Sequence, residues 1–76
     1  MPSRMIDGYK FQFYSADRHE PPHIHVVKAE KRVKIWLRDL SVANIRNFNS
    51  KELNHVIEIV REYQTEFMEW YHGFFS

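Results

Sequence analysis

Residues 20–26 read EPPHIHV, and the two imidazoles set two positions apart are the first residues with evident chemistry. His23 and His25 leave a rigid Pro21-Pro22 turn and enter an apolar stretch with Ile24, Val26 and Val27. Histidine is the side chain best able to give and take protons near neutral pH. In one chemistry the pair acts as base and acid, and Lys34, Arg38 or Lys10 stabilises the charge growing on an attacked phosphate. An acid and a base acting in line flank the scissile phosphate, whereas residues two apart on a strand stand side by side, so His19 would supply the second role. In another, His23 and His25 share a zinc ion completed by His19, Asp17 or Glu20. Two histidines alone do not complete a tetrahedral site, so this ranks below acid–base chemistry, and neither metal nor cofactor is expected. In a third the histidines are binding contacts only. In a fourth they are structural: they pack on Trp36 and donate to the loop, and the prolines merely stiffen the strand entry.

Two familiar histidine motifs do not fit. A histidine-triad nucleotide hydrolase needs His-apolar-His-apolar-His, and Val27 stands at the third position. The paired His-x-Ser/Thr motifs of two-histidine phosphoesterases do not occur, and Gly8 and Gly73 are too few for a glycine-rich phosphate loop. With no cysteine, disulfides and thiolate metal sites are excluded, which suits the cytosol. No uncharged stretch approaches the ~18 apolar residues of a membrane span, and MPSRMIDGYKF shows no apolar signal-peptide core. The net charge of +1 hides a split. Residues 1–51 carry ten Lys/Arg against five Asp/Glu, or +5, and residues 52–76 one Arg against five Glu, or −4. A basic part of this kind suits an anionic partner.

The elements that must position the histidines follow from periodicity. YKFQFY alternates with period two and predicts a strand over about 8–15; HIHVVKA and RVKIWLR predict strands over about 23–29 and 32–38. Glu30-Lys31 would be the hairpin loop, and residues 39–47 hold a short fourth strand or a turn. Asn49 fits a helix N-cap, with Glu52 completing a capping box and Phe48 and Leu53 forming a hydrophobic staple. Leu53, Val56, Ile57, Val60, Tyr63, Phe67, Trp70, Tyr71 and Phe74 then recur at helical spacing, predicting one helix over about 50–72 that stops at Gly73. The expected fold is a single α+β domain spanning 1–76, a small antiparallel sheet of three to four strands packed on one long C-terminal helix.

Side chains alternate across a strand. If Tyr9, Phe11, Phe13, Ile24, Val26, Val33, Ile35 and Leu37 face the helix, the other face presents Lys10, Gln12, Tyr14, His23, His25, Lys34, Trp36 and Arg38. In the expected register His25 pairs with Trp36 and His23 with Arg38. His23 and His25 are then the catalytic candidates, and Lys10, Tyr14, Lys34, Trp36 and Arg38 the nucleic-acid-binding ones. Tyr14 and Trp36 suit base stacking. An exposed aromatic patch on a domain this small favours association, so a homodimer through Trp36 is a further expectation. His55 and His72 belong to the helix surface.

GYKFQFYS, EPPHIHV, VKIWL, SKEL and EFMEWYHGFF recur in this order in small proteins of the domain of unknown function 4160 family, which the chain resembles over nearly its whole length. The resemblance implies a cytoplasmic bacterial or archaeal protein, often encoded beside a second small protein in a toxin–antitoxin-like pair. The expected function is therefore a toxin acting on RNA through the His/basic/aromatic face. The alternatives are a non-enzymatic module that binds nucleic acid or protein, including an antitoxin, and a histidine-based metal binder.

Overall fold

Five strands follow one another as an antiparallel meander in the computed structural model, which describes residues 3–14 and 19–75. They are β1 (Ser3–Ile6), β2 (Tyr9–Gln12), β3 (His23–Lys28), β4 (Lys31–Trp36) and β5 (Val42–Arg46). Two helices complete the α+β fold, α1 (Ser50–Glu62) and α2 (Gln64–Phe75). The sheet thus exceeds the expected three to four strands. β1 is joined to β2 by Asp7 and Gly8, with φ of 52° and 83°. Two successive positive φ angles make a type I′ turn, whose twist matches that of the flanking strands. β5 occupies the segment whose sequence was ambiguous.

The β3–β4 loop is Ala29-Glu30, flanked by the pair Lys28 and Lys31, rather than Glu30-Lys31. Ala29 takes φ 53°, a turn conformation for which sequence reasoning looks to glycine. The register therefore differs from expectation by two. His25 lies opposite Lys34, not Trp36, and His23 opposite Trp36, not Arg38. A shift of two keeps every side chain on its predicted face, because the strand period is two.

The inward face of the central strands β2, β3 and β4 is apolar, and at the edge Arg4 of β1, opposite Phe11, lies over the Tyr63 and Phe67 rings. Phe11, Phe13, Ile24, Val26, Ile35 and Leu37 are fully buried, with Tyr9 and Val33 nearly so. The helices close this face with Val56, Ile59, Val60, Phe67 and Tyr71. Continuous helix over 50–72 is interrupted at Tyr63, where φ −102° and ψ 14° depart from helical values. The hydrogen-bond ladder nonetheless continues, from the Tyr63 amide to Ile59 O and from the Phe67 amide to Tyr63 O. At the junction the Gln64 amide side chain donates to Leu37 O, fastening the helices to the end of β4. Gly73 does not end α2, which runs on to Phe75.

Asn49 is the N-cap of α1, its Oδ1 accepting the Glu52 amide at 2.8 Å. The expected reciprocal half of the capping box is not made. The Glu52 carboxylate instead accepts the Tyr9 hydroxyl at 2.7 Å and Lys31 Nζ at 2.6 Å. Phe48 of the expected staple stacks on Tyr9, ring centroids 6.1 Å apart. The hydrogen bonds from Lys31 and Tyr9 hold the Glu52 carboxyl below the usual carboxylate range. Burial, and then the Glu52 carboxylate, push the Tyr9 phenol up to about 12.

These shifts set opposite limbs of the pH–stability profile. A depressed carboxyl stabilises the fold above its unfolded pKa, and that contribution is lost as pH falls through the folded value. A raised phenol stabilises below the unfolded value of 10.0, and its contribution is lost as pH rises toward 12. Thermal unfolding between pH 3 and 11 should show stability falling at both ends, with Glu52→Gln flattening the acid limb. An acid limb unchanged by that substitution would remove Glu52 from the linkage.

Candidate nucleic-acid interface

Each carbonyl of the EPP segment is used. Glu20 O accepts the Tyr71 hydroxyl at 3.0 Å, Pro21 O meets His23 Nδ1 at 2.8 Å, and Pro22 O accepts the Leu37 amide at 3.0 Å. Pro21 and Pro22 have no N–H of their own. The segment is therefore a run of acceptors with a single backbone donor, laid against the ends of β4 and α2. A carbonyl only accepts, so the contact to Pro21 O places a proton on His23 Nδ1. The Glu20 carboxylate in turn accepts from Lys34 Nζ.

This segment changes the face that periodicity assigned to the open side. His23 is fully buried and Lys34 only 9% exposed, against the expectation that both stand open to solvent. The His23 ring meets His25 edge-on at 5.0 Å and Trp36 at 5.4 Å, with Tyr71 at 6.1 Å. His23 thus has the contacts of the structural alternative, packing on Trp36 and bonding to the loop. His25 is half-buried, its ring 4.4 Å from Tyr14. Lys34 Nζ sits 4.4 Å from the Trp36 ring centroid, a cation–π contact beside its ion pair.

On this face Tyr14, His25, Arg32, Lys34, Asn44 and Arg46 line a concavity of about 300 Å³. Of the residues expected from sequence, it gathers Tyr14, His25 and Lys34, with His23 and Trp36 packed against them. Arg38 stands apart, beyond Trp36, in a separate concavity with Pro21, Pro22, Asp39 and Ser41. Lys10 is exposed opposite Val27 and lines neither.

Arg32, Asn44 and Arg46 were missed. Arg32 shares the parity of Lys34 and Trp36, so its place was available from alternation alone. Arg46 and Asn44 owe theirs to a bulge. Arg32 pairs with Arg46 and Lys34 with Ala43, so three steps of β5 span two of β4. Asn44 sits in that bulge with φ 54°, a conformation asparagine tolerates better than most residues. Arg32 and Arg46 are thereby held directly opposite each other. Like charges so placed repel. Among the described residues neither guanidinium has an ion-pair or hydrogen-bond partner.

The zinc alternative draws on Asp17, which lies outside the described residues. Among those described, no three His, Asp or Glu side chains are grouped as metal ligands. His55 and His72 are exposed on the helices as expected. No helix of the described residues is long and apolar enough to cross a membrane.

A five-stranded meander with helices on one face and a cationic, aromatic-walled pocket on the other defines a small α+β sheet-face domain. The chain belongs to the domain of unknown function 4160 family, whose model matches residues 8–72. No curated protein and no solved structure matched it.

Proposed function

We propose that this domain is the RNA-facing member of a bacterial toxin–antitoxin-like pair, working in the cytoplasm beside a small cognate protein. It holds single-stranded RNA on the open sheet face. The observation that carries this reading is the pocket in which Arg32 and Arg46 oppose each other with no carboxylate paired to either among the described residues. Guanidinium groups suit phosphate oxygens, and the Tyr14 and Trp36 rings offer surfaces for bases. Binding ranks ahead of cleavage because of His23. Its burial leaves His25 as the one imidazole of the pair that lines the pocket, and in-line phosphodiester cleavage needs a donor and an acceptor on opposite sides of the phosphorus.

The test is fluorescence anisotropy of a 3′-fluorescein-labelled hexauridylate between 50 and 300 mM salt. Affinity should fall steeply with salt, and Arg32→Ala should weaken it severalfold. That variant should also reduce the log–log salt slope by about 0.7, the value for one single-strand phosphate contact. Salt-independent binding, or an unchanged slope in Arg32→Ala, would refute a phosphate contact there. Phosphodiester products released by the wild type but not by His25→Ala would instead put the toxin reading ahead.

A further inference from the structure

We infer that the pocket between β3, β4 and β5 is built for the terminal phosphate monoester of a nucleotide, presented at the end of an RNA strand, rather than for an internal phosphodiester. The inference rests on the RNA reading above and specifies what that site takes.

The charge count carries it. Lys34 also lines the pocket, but its charge is answered by the Glu20 carboxylate. That leaves Arg32 and Arg46, two positive charges with no ion-pair partner among the described residues, held opposite each other. An internal phosphodiester brings one negative charge. A terminal phosphate monoester brings nearly two at pH 7, with three non-bridging oxygens to share between two guanidinium forks. It is the ligand that relieves the Arg32–Arg46 repulsion completely.

Shape agrees with charge. A concavity of about 300 Å³ lies at the low end of small-ligand sites, suited to one nucleotide rather than to a strand passing through. Its walls divide by chemistry. Arg32, Arg46 and Asn44 form the polar β4–β5 side. Tyr14 and His25, 4.4 Å apart, form the aromatic side on which a base or ribose can rest. Gln12 Nε2 donates to the Tyr14 oxygen at 2.7 Å, which leaves the phenol proton to donate to a ligand. The bulge at Asn44 gives the clamp its geometry, since without it Arg46 would lie on the helix side of the sheet.

The experiment compares four probes on the full chain: hexauridylates carrying a 5′-phosphate or a 5′-hydroxyl, and UMP or uridine as competitors. The 5′-phosphate strand should bind about tenfold tighter than the 5′-hydroxyl strand, the size expected for one or two added charge-assisted contacts. UMP should compete and uridine should not, with the phosphorylated strand outcompeting UMP if the source is an RNA end. Arg46→Ala should abolish the preference. Arg46 is exposed and repelled by its neighbour, so the variant should fold, as its thermal melt will check. Equal affinity for both strands would overturn the terminal-phosphate inference and leave the RNA reading standing. No binding of either strand would overturn both.

Discussion

Replacing His23 by alanine should cost about 3 kcal/mol of folding stability, whereas His25→Ala should cost less than about 1 kcal/mol. The two imidazoles look equivalent in EPPHIHV and are not equivalent in the fold. His23 has no exposed surface, and its ring is packed among His25, Trp36 and Tyr71. Truncation leaves a void there and strips Pro21 O of its donor. His25 is half-buried at the pocket wall, where water can fill the space it leaves. His23→Asn keeps an amide N–H near the Nδ1 position and should recover part of the loss. Urea unfolding of the three variants at constant m-value measures this directly. A His23→Ala variant within 1 kcal/mol of wild type would return His23 to the candidate catalysts. The expected result bears on any growth assay of toxicity. Arrest lost in His23→Ala would report lost structure, so His25→Ala with matched protein levels is the informative variant.

The difference between the two histidines marks where sequence reading stops. Period two in YKFQFY, HIHVV and RVKIWL correctly separates Tyr9, Phe11, Ile24, Val26, Val33 and Ile35 from the opposite set, because each strand sees the same two environments along its length. Burial on the opposite face depends on Glu20–Pro22 folding back and on Tyr71, 51 residues from Glu20, meeting it. No local period carries that. The register slip has a different cause. Glu30-Lys31 reads as the more polar turn, but the chain turns at Ala29, a residue that rarely takes positive φ. β1 was legible in principle, since Asp7-Gly8 is a strong hairpin signal, but SRMI offers only Ile6 to the core. Arg46 was not legible. Strict alternation from Val42, paired with Ile35, points Arg46 toward the helices, and only the extra residue at Asn44 turns it to the pocket. The break at Tyr63 was equally hidden, because the apolar spacing runs through it.

Phe13→Ala should be the most damaging single change outside the site, at about 4 kcal/mol, and should also weaken binding at a pocket it does not line. Phe13 is fully buried just beyond β2. Its ring meets Trp70 at 4.5 Å, Tyr71 at 5.3 Å, Phe74 at 6.1 Å and Phe75 at 6.3 Å, so one side chain anchors the last turns of α2 to the sheet. Those turns hold the Tyr71 hydroxyl against Glu20 O, and Glu20 holds Lys34. The route from core to pocket is thus Phe13, Tyr71, Glu20, Lys34. A chain of 76 residues has only about 4–11 kcal/mol to lose, so Phe13→Ala will lie close to unfolding. Two gentler variants keep the coupling measurable. Phe13→Leu should cost only about 1.5 kcal/mol while reducing amide protection in the last turn of α2. Tyr71→Phe removes only the hydroxyl and should lower RNA affinity severalfold with a stability loss near 1 kcal/mol. If Tyr71→Phe binds like wild type, the Glu20 segment is held by its remaining contacts and the pocket is independent of α2. If affinity falls, the C-terminal aromatic cluster is part of the binding apparatus, which explains why so short a chain places five aromatic residues among positions 67–75.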